Sequence, residues 1–505
     1  MPRFPLPPST RSLFGRLLPL LLASLALLPG HGLVQSAPEG TWTRANADFR
    51  TGFETIKLPG GESMGLLGTS YLVELQRGLC VGPAVYSAVS GQRGGFFTVG
   101  AEAALCTNLI GPLGLAAGLY VGGGGGGGAP VGGGLMLRPH IDLVWGIGDY
   151  RLGVSASQVR FPSGQIDSTQ FGLVFGMNTE FTYLPSGRTP TPYYGLGRTG
   201  VGFDRILAVG GAYRPRAGET AISGAPLSTQ IGYVGMRADR FYTPNFYGGL
   251  ETNAAASGGA AGYAELLGTL GLEWSLLDER LTVGGRVALG MGGGGDVPVG
   301  GGLLGKAALG ASLRLSRDVS LSLEGGWVKA PQGEFSAPFG SLALRWDLDH
   351  PQGSPTQFTR EEFIGGVETY RDAARKGGPP QSLQNLTFKL NRFVSPSFYI
   401  TGQVHSAYAG DAGGFSVGLI GAGAQTRVGE RLVVGAEMLA GAAGGGGVAT
   451  GGGGIVQPMA YVGVEITPLV SLRLGGGKVK ATNGPLDSTV ADLTLVLSFG
   501  VASRP

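Results

Sequence analysis

Three times the chain passes through the same order of segments. A glycine-saturated block comes first, then two alternating strands joined by a tight turn, then a basic residue with glycine four positions on, then a last alternating strand. The blocks are 122–134 (GGGGGGGAPVGGG), 292–302 (GGGGDVPVGGG) and 444–454 (GGGGVATGGGG). The basic residues are Arg160, Lys329 and Lys480, followed by Gly164, Gly333 and Gly484. A repeat of about 150 residues is too long for a solenoid unit of 20–50 residues and is the size of a module of several strands.

Charged residues are 14% of the chain, against about 25% in an ordinary soluble domain. After the N-terminus, however, no apolar run approaches the ~20 residues of a membrane helix. The apolar residues are therefore spread by alternation. Glycine is 97 of 505 residues without the strict period of collagen, and 43% hydrophobic content argues against disorder.

The first 36 residues read as a signal peptide of the Sec type. Arg3, Arg11 and Arg16 precede the apolar run Leu17 to Leu28, and small residues follow at Val34 to Ala37. These arginines account for the whole net charge of +3, so no polyanion or nucleic-acid partner is implied. The rest divides into repeats over 37–185, 186–350 and 351–505.

Alternation within the repeats is two-sided. Val319, Leu321, Leu323 and Trp327 share one face of a strand, and Ser320, Ser322, Glu324 and Gly326 share the other; Val470, Leu472 and Leu474 oppose Ser471, Arg473 and Gly475 in the same way. One face suits hydrocarbon and the other water. The pattern predicts about eight such strands per repeat, roughly 24 in all, with the opening strands near Phe53, Phe203 and Phe363 the weakest. Tight links, such as Gln76 to Gly78 and Asp278 to Arg280, alternate with long links rich in Gly and Pro. Short turns on one side and long loops on the other is the habit of outer-membrane barrels, which puts the glycine blocks outside the cell.

In this pattern, and over nearly all of the mature chain, the protein resembles Gram-negative outer-membrane β-barrel proteins as a class. The resemblance implies an all-β fold, a transmembrane antiparallel β-barrel, in the outer membrane, with lipid, lipopolysaccharide and the barrel-assembly machinery as partners. One departure is that Gly500 to Pro505 follow the last aromatic, Phe499, where such barrels usually finish on a terminal aromatic.

Small inward residues, mostly Gly, Ser and Ala, would fill a narrow barrel poorly. They favour one large barrel of about 24 strands, whose diameter grows with strand number, over the alternative of three tandem eight-stranded barrels. The corresponding function is a passive channel or export pore for a hydrophilic solute or polymer. The alternative is a non-conducting surface protein whose glycine-rich loops bind a partner or the envelope.

No catalytic site, cofactor or metal is expected. GFSVG at 414–418 fits a nucleophile elbow but enters an alternating strand rather than a helix. GGGLLGKA from Gly300 has Ala307 where a phosphate-binding loop needs Ser or Thr. His31, His140, His350 and His405 form no pair at ligand spacing. With Arg93 midway between them, Cys80 and Cys106 fall face to face across a hairpin, as a disulfide candidate in an oxidising compartment. Arg160, Lys329 and Lys480 share parity with the lipid-facing residues, as candidates for contact with lipopolysaccharide phosphate. Arg151, Arg286, Glu324, Glu437 and Arg473 point inward, as lumen charges.

Overall fold

A computed structural model describes residues 41–503 except 77, 186–192, 194–197 and 350–356; the signal peptide, His31 and His350 lie outside the described residues. The first eight strands are β1 (Thr43–Lys57), β2 (Ser63–Gln76), β3 (Leu79–Ser90), β4 (Phe97–Ile110), β5 (Leu113–Gly125), β6 (Met136–Ile147), β7 (Tyr150–Arg160) and β8 (Asp167–Tyr183). The next are β9 (Arg205–Tyr213), β10 (Ile231–Phe241), β11 (Phe246–Ala255), β12 (Ala264–Leu276), β13 (Leu281–Gly293), β14 (Leu303–Arg314), β15 (Val319–Lys329) and β16 (Ser336–Asp347). The last are β17 (Gln357–Ala373), β18 (Gln381–Phe393), β19 (Phe398–Ala409), β20 (Ser416–Val428), β21 (Leu432–Gly444), β22 (Gly454–Glu465), β23 (Val470–Ala481) and β24 (Asp487–Ser503).

Each set of eight closes on itself. β1 pairs β8, β9 pairs β16 and β17 pairs β24, all antiparallel, giving three closed barrels in tandem. The single 24-stranded barrel expected from the inward Gly, Ser and Ala residues is therefore corrected to the three-barrel alternative. Those small residues are the sockets of large ones. A methyl group at Gly68 would lie 2.3 Å from the Tyr86 ring, at Gly211 2.5 Å from the Tyr233 ring, and at Gly423 2.3 Å from the Tyr399 ring. Each of these tyrosines lies over the glycine directly opposite it on the adjacent strand, so a narrow barrel fills to the density of a protein interior.

Links alternate in length as expected, which gives every barrel a turn end and a loop end. Large apolar residues such as Trp145, Leu152, Leu173, Trp274, Leu289, Leu323, Leu342, Leu472 and Leu493 stay exposed on the outer walls, where hydrocarbon would cover them. They concentrate on the fourth to eighth strands of each barrel. The first three strands carry few, because part of their outer face lies against a neighbouring barrel. Phe53 and Phe363 lie within opening strands, whereas Phe203 lies two residues before β9.

The barrels meet in a closed ring. β3 of barrel 1 packs on β13 and β14 of barrel 2, β11 of barrel 2 on β21 of barrel 3, and β19 of barrel 3 on β4 and β5 of barrel 1. Each contact is head-to-tail and the third closes the circle, so the chain is arranged like a cyclic trimer in one polypeptide. At the turn end the residues after Phe499 act as a tie. Leu184 and Gly500 exchange backbone hydrogen bonds of 3.0 and 2.9 Å, the Ala502 N–H donates to Thr199 Oγ1 at 2.8 Å, and Ser503 Oγ donates to Leu348 O at 3.1 Å. Phe499 itself is buried edge-on against Phe181 and Tyr183 of barrel 1.

Candidate functional site

Two features combine polar chemistry with close packing: the filled lumens and the collar of glycine blocks at the loop end. In each lumen the loop-end half is apolar. Phe96, Val131, Phe161 and Ile166 from the loops of barrel 1 join Ile56, Met64, Leu66 and Tyr120 from its wall in one buried cluster. Val297, Val299 and Phe335 do the same in barrel 2, as do Ala412, Phe415, Val448 and Leu486 in barrel 3. The mouths are thus closed by the loops.

Below each plug lies a buried ion network. In barrel 1 Arg50 binds Glu102 at 3.2 Å and also Asp142, Arg138 binds Glu54 at 2.8 Å, and both ring nitrogens of His140 face carboxylates, Glu102 at 3.3 Å and Asp142 at 3.1 Å. In barrel 2 Lys306 sits between Glu251 (2.9 Å) and Glu265, while Arg205 binds Asp239 at 2.7 Å. In barrel 3 Lys389 binds Asp492 at 2.8 Å, and Glu368 accepts from His405 at 2.5 Å. Cavities of about 30 Å³ remain beside the networks of barrels 1 and 2, room for little more than a water.

The five inward charges singled out in the sequence join these networks. Arg151 meets Asp48 at 2.6 Å, Arg286 meets Glu324 at 3.0 Å and Glu251 at 2.5 Å, Glu437 meets Lys389 at 3.4 Å, and Arg473 meets Glu362 at 3.1 Å. Arg286 and Glu324 are partners of one another, whereas Asp48, Glu251, Lys389 and Glu362 carry no sign of their role in the sequence, since a lone charge in a weakly patterned early strand does not show that it faces a lumen. Replacing Lys306 by Met leaves the buried Glu265 carboxylate without its cation, while Glu251 keeps Arg286, and should lower stability by about 3–5 kcal/mol. Urea unfolding in detergent checks this, and adding Glu265→Gln to Lys306→Met should restore part of the loss.

The collar explains the glycine blocks. Gly94 N–H donates to Gly300 O at 2.8 Å, Gly413 N–H to Gly132 O at 3.0 Å and Gly414 N–H to Gly124 O at 3.1 Å, each bond joining two barrels. A methyl group at Gly95 would lie 2.1 Å from Gly294 N, and one at Gly444 2.2 Å from Gly262 N. Bare backbone is what lets two barrel rims touch. The glycine four residues beyond each basic residue has the same cause within a barrel: a methyl at Gly164 would meet Pro130 O at 2.4 Å, and at Gly333 Pro298 O at 2.4 Å. Arg93 braces the barrel 1 block, donating to Gly127 O at 3.2 Å and Gly128 O at 2.8 Å, and it holds the Glu62 carboxyl below the usual carboxylate range by a direct hydrogen bond.

The remaining candidates separate. Arg160, Lys329 and Lys480 are exposed at the loop ends of β7, β15 and β23, on the outward face. Cys80 and Cys106 are free thiols and are not opposite one another: Cys80 pairs with Ala104, and Cys106 N–H donates to Gly78 O. The hairpin is centred on position 92, from the Ser87↔Phe97 pair, and not on Arg93. A centre displaced by one residue moves every partner by two and leaves the cysteines diagonal on one face. Ser416 of the GFSVG string faces Ser406 Oγ at 3.2 Å, whereas His405 points into the lumen. Lys306 of the GGGLLGKA string is the buried lysine of barrel 2.

No family model matches the chain, and no curated protein does. Among solved structures, the outer membrane protein OpdK from Pseudomonas aeruginosa shares 10% identity over 91% of this chain and 99% of its own, with a TM-score of 0.22. OccK11 of the same organism shares 12% over 93% and 100%, with a TM-score of 0.22. The siderophore receptor PiuA from Acinetobacter baumannii shares 9% over 90% and 81%, with a TM-score of 0.28. Likeness at this level assigns neither a family nor a function to the chain.

Proposed function

We propose that the chain is an outer-membrane scaffold: three plugged barrels locked into one ring, with the glycine collar and the long loops forming a rigid platform on the outer face. The observation that carries this reading is the apolar plug, built in every barrel from loop residues that fold back into the mouth. A barrel of eight strands has an interior only wide enough for its own side chains, and here the side chains occupy it. The exposed apolar walls support membrane insertion, and the targeting segment supports export.

A passive channel for a hydrophilic solute is the second reading. It is favoured by the lumen charges, which line the turn-end half of each barrel with polar groups, and by the small cavities of barrels 1 and 2. The test is the current through planar bilayers holding the purified protein. The scaffold reading expects no regular ohmic steps, and reproducible large steps would establish the channel.

A further inference from the structure

The seam where the last strand of each barrel meets the first carries the same two outward cations at the same register. In barrel 1 Arg160 lies opposite Asp167. Register running on from Glu54↔Gly172 puts Lys57 opposite Thr169, which on its other side pairs with Gln158, two residues before Arg160. In barrel 2 Arg214 N–H donates to Pro338 O at 2.9 Å, Pro338 pairs with Trp327, and Lys329 lies two residues beyond Trp327. In barrel 3 Arg371 and Lys478 both pair with Thr489, and Lys480 lies two residues on, opposite Asp487.

All six cations are exposed and outward, above walls that carry Leu173, Leu342 and Leu493. Strands about 4.8 Å apart, with two residues of offset, put the paired cations of one seam roughly 12 Å apart at their Cα atoms.

We infer that each seam is a two-point clamp for a lipid headgroup bearing two phosphates, a site that rests on the outer-membrane reading above. Three observations carry it. First, the neighbouring outward positions are not held to one kind of residue, with Gln158, Trp327 and Lys478 at one level and Asp167, Ser336 and Asp487 at the next, while both cationic positions stay basic in all three barrels. A solvated strand end gives no reason for that constancy.

Second, the local acids do not cancel the charge. Asp167 stands 3.8 Å from Arg160 against two cations, and Asp487 pairs with Lys478 at 2.7 Å, which with the exposed Asp372 leaves barrel 3 one cation in excess. Third, the position suits a headgroup: long stems lie along apolar wall while the heads stay in water and donate charge-assisted hydrogen bonds to phosphate.

The test is native mass spectrometry of the full chain in detergent, titrated with diphosphorylated lipid A and, separately, with its monophosphorylated form. The chain should hold up to three diphosphorylated molecules and bind the monophosphorylated form at least 3-fold more weakly. Substituting Lys57, Arg214, Arg371, Arg160, Lys329 and Lys480 by Gln should weaken binding at least 10-fold while the heat-dependent gel shift persists. Arg214→Gln with Lys329→Gln alone should reduce the maximum from three to two, a readout that stands even if the six-fold variant does not fold. The control removes Arg44, Arg280 and Arg431 at the turn end and should change nothing. Equal binding by the six-fold variant, no difference between the two lipids, or an equal loss in the control overturns the clamp. Binding is read on purified protein, so its failure is distinct from recovery of the chain in another cell fraction, which would overturn the location instead.

Discussion

Expressed behind the chain's own first 36 residues, segment 37–185 should fold alone into a heat-modifiable eight-stranded barrel. It carries every strand that barrel 1 needs. β1 and β8 pair from Thr43↔Tyr183 to Glu54↔Gly172, so no edge is left to be satisfied in a membrane that offers no hydrogen bonds. The fragment loses the collar bonds to Gly300, Gly413 and Gly414 and the exchange between Leu184 and Gly500. At about 0.5–1.5 kcal/mol each, these losses make it a few kcal/mol less stable than the same barrel in the intact chain. Unboiled and boiled gel mobility of the membrane-extracted fragment is the measurement. A fragment that reaches the membrane fraction only as unfolded aggregate would count against self-closure.

The second large effect is at the collar. Gly95, Gly262 and Gly414 have φ of 87°, 98° and 89°, and a methyl group at each would lie 2.1, 2.9 and 2.8 Å from backbone nitrogen of the adjoining barrel. Valine at all three positions should part the barrels while leaving each closed. A β-branched residue at such φ costs roughly 1–3 kcal/mol apiece, before any steric clash, which together exceeds what the few collar bonds return. With protease sites placed in segments 186–192 and 350–356, the cleaved variant should separate into single barrels on a native gel, and the cleaved parent should remain one species. A variant that stays together after cleavage would show that the glycine collar does not hold the ring.

What could be read from sequence follows from which surfaces a strand faces. β15, β16, β23 and β24 have lipid on one side and a polar lumen on the other, so Leu321, Leu323 and Leu342 alternate cleanly with Ser320, Ser322 and Ser341. β2, β10 and β18 have a filled lumen on one side and, in part, another barrel on the other. Met236, for example, would be 2.9 Å from a methyl group at Gly402 of barrel 3. Such strands show no clean contrast of hydrocarbon and water, and the opening strands near Phe53, Phe203 and Phe363 are the weakest part of the sequence pattern.

Barrel size was misjudged for a related reason. Inward glycines read as empty space in the sequence, whereas Gly68, Gly211 and Gly423 are covered by Tyr86, Tyr233 and Tyr399 of the adjacent strand, a pairing that only the register shows. The collar was hidden altogether. Gly95 and Gly294 meet only because two barrels pack, and nothing local marks one glycine as the partner of another so distant in sequence. The outward cations show the opposite case: parity alone placed Arg160, Lys329 and Lys480, whereas Lys57, Arg214 and Arg371 needed the register across β8, β16 and β24.

The central claim, three barrels each closed on itself, is tested most directly by strand neighbourhood. In a background with Cys80→Ser and Cys106→Ser, the variant Ala47→Cys with Thr179→Cys joins outward positions that are Cα partners on β1 and β8. Such partners lie about 4.5–5.5 Å apart, within the range of a disulfide. In a single 24-stranded barrel β1 would instead neighbour β24, with β8 about a third of the circumference away. Oxidation of the membrane-embedded protein followed by peptide mass mapping should give the 47–179 bridge in high yield. Its absence, together with a bridge from Ala47→Cys to Leu493→Cys, Leu495→Cys or Leu497→Cys, would contradict the three-barrel account.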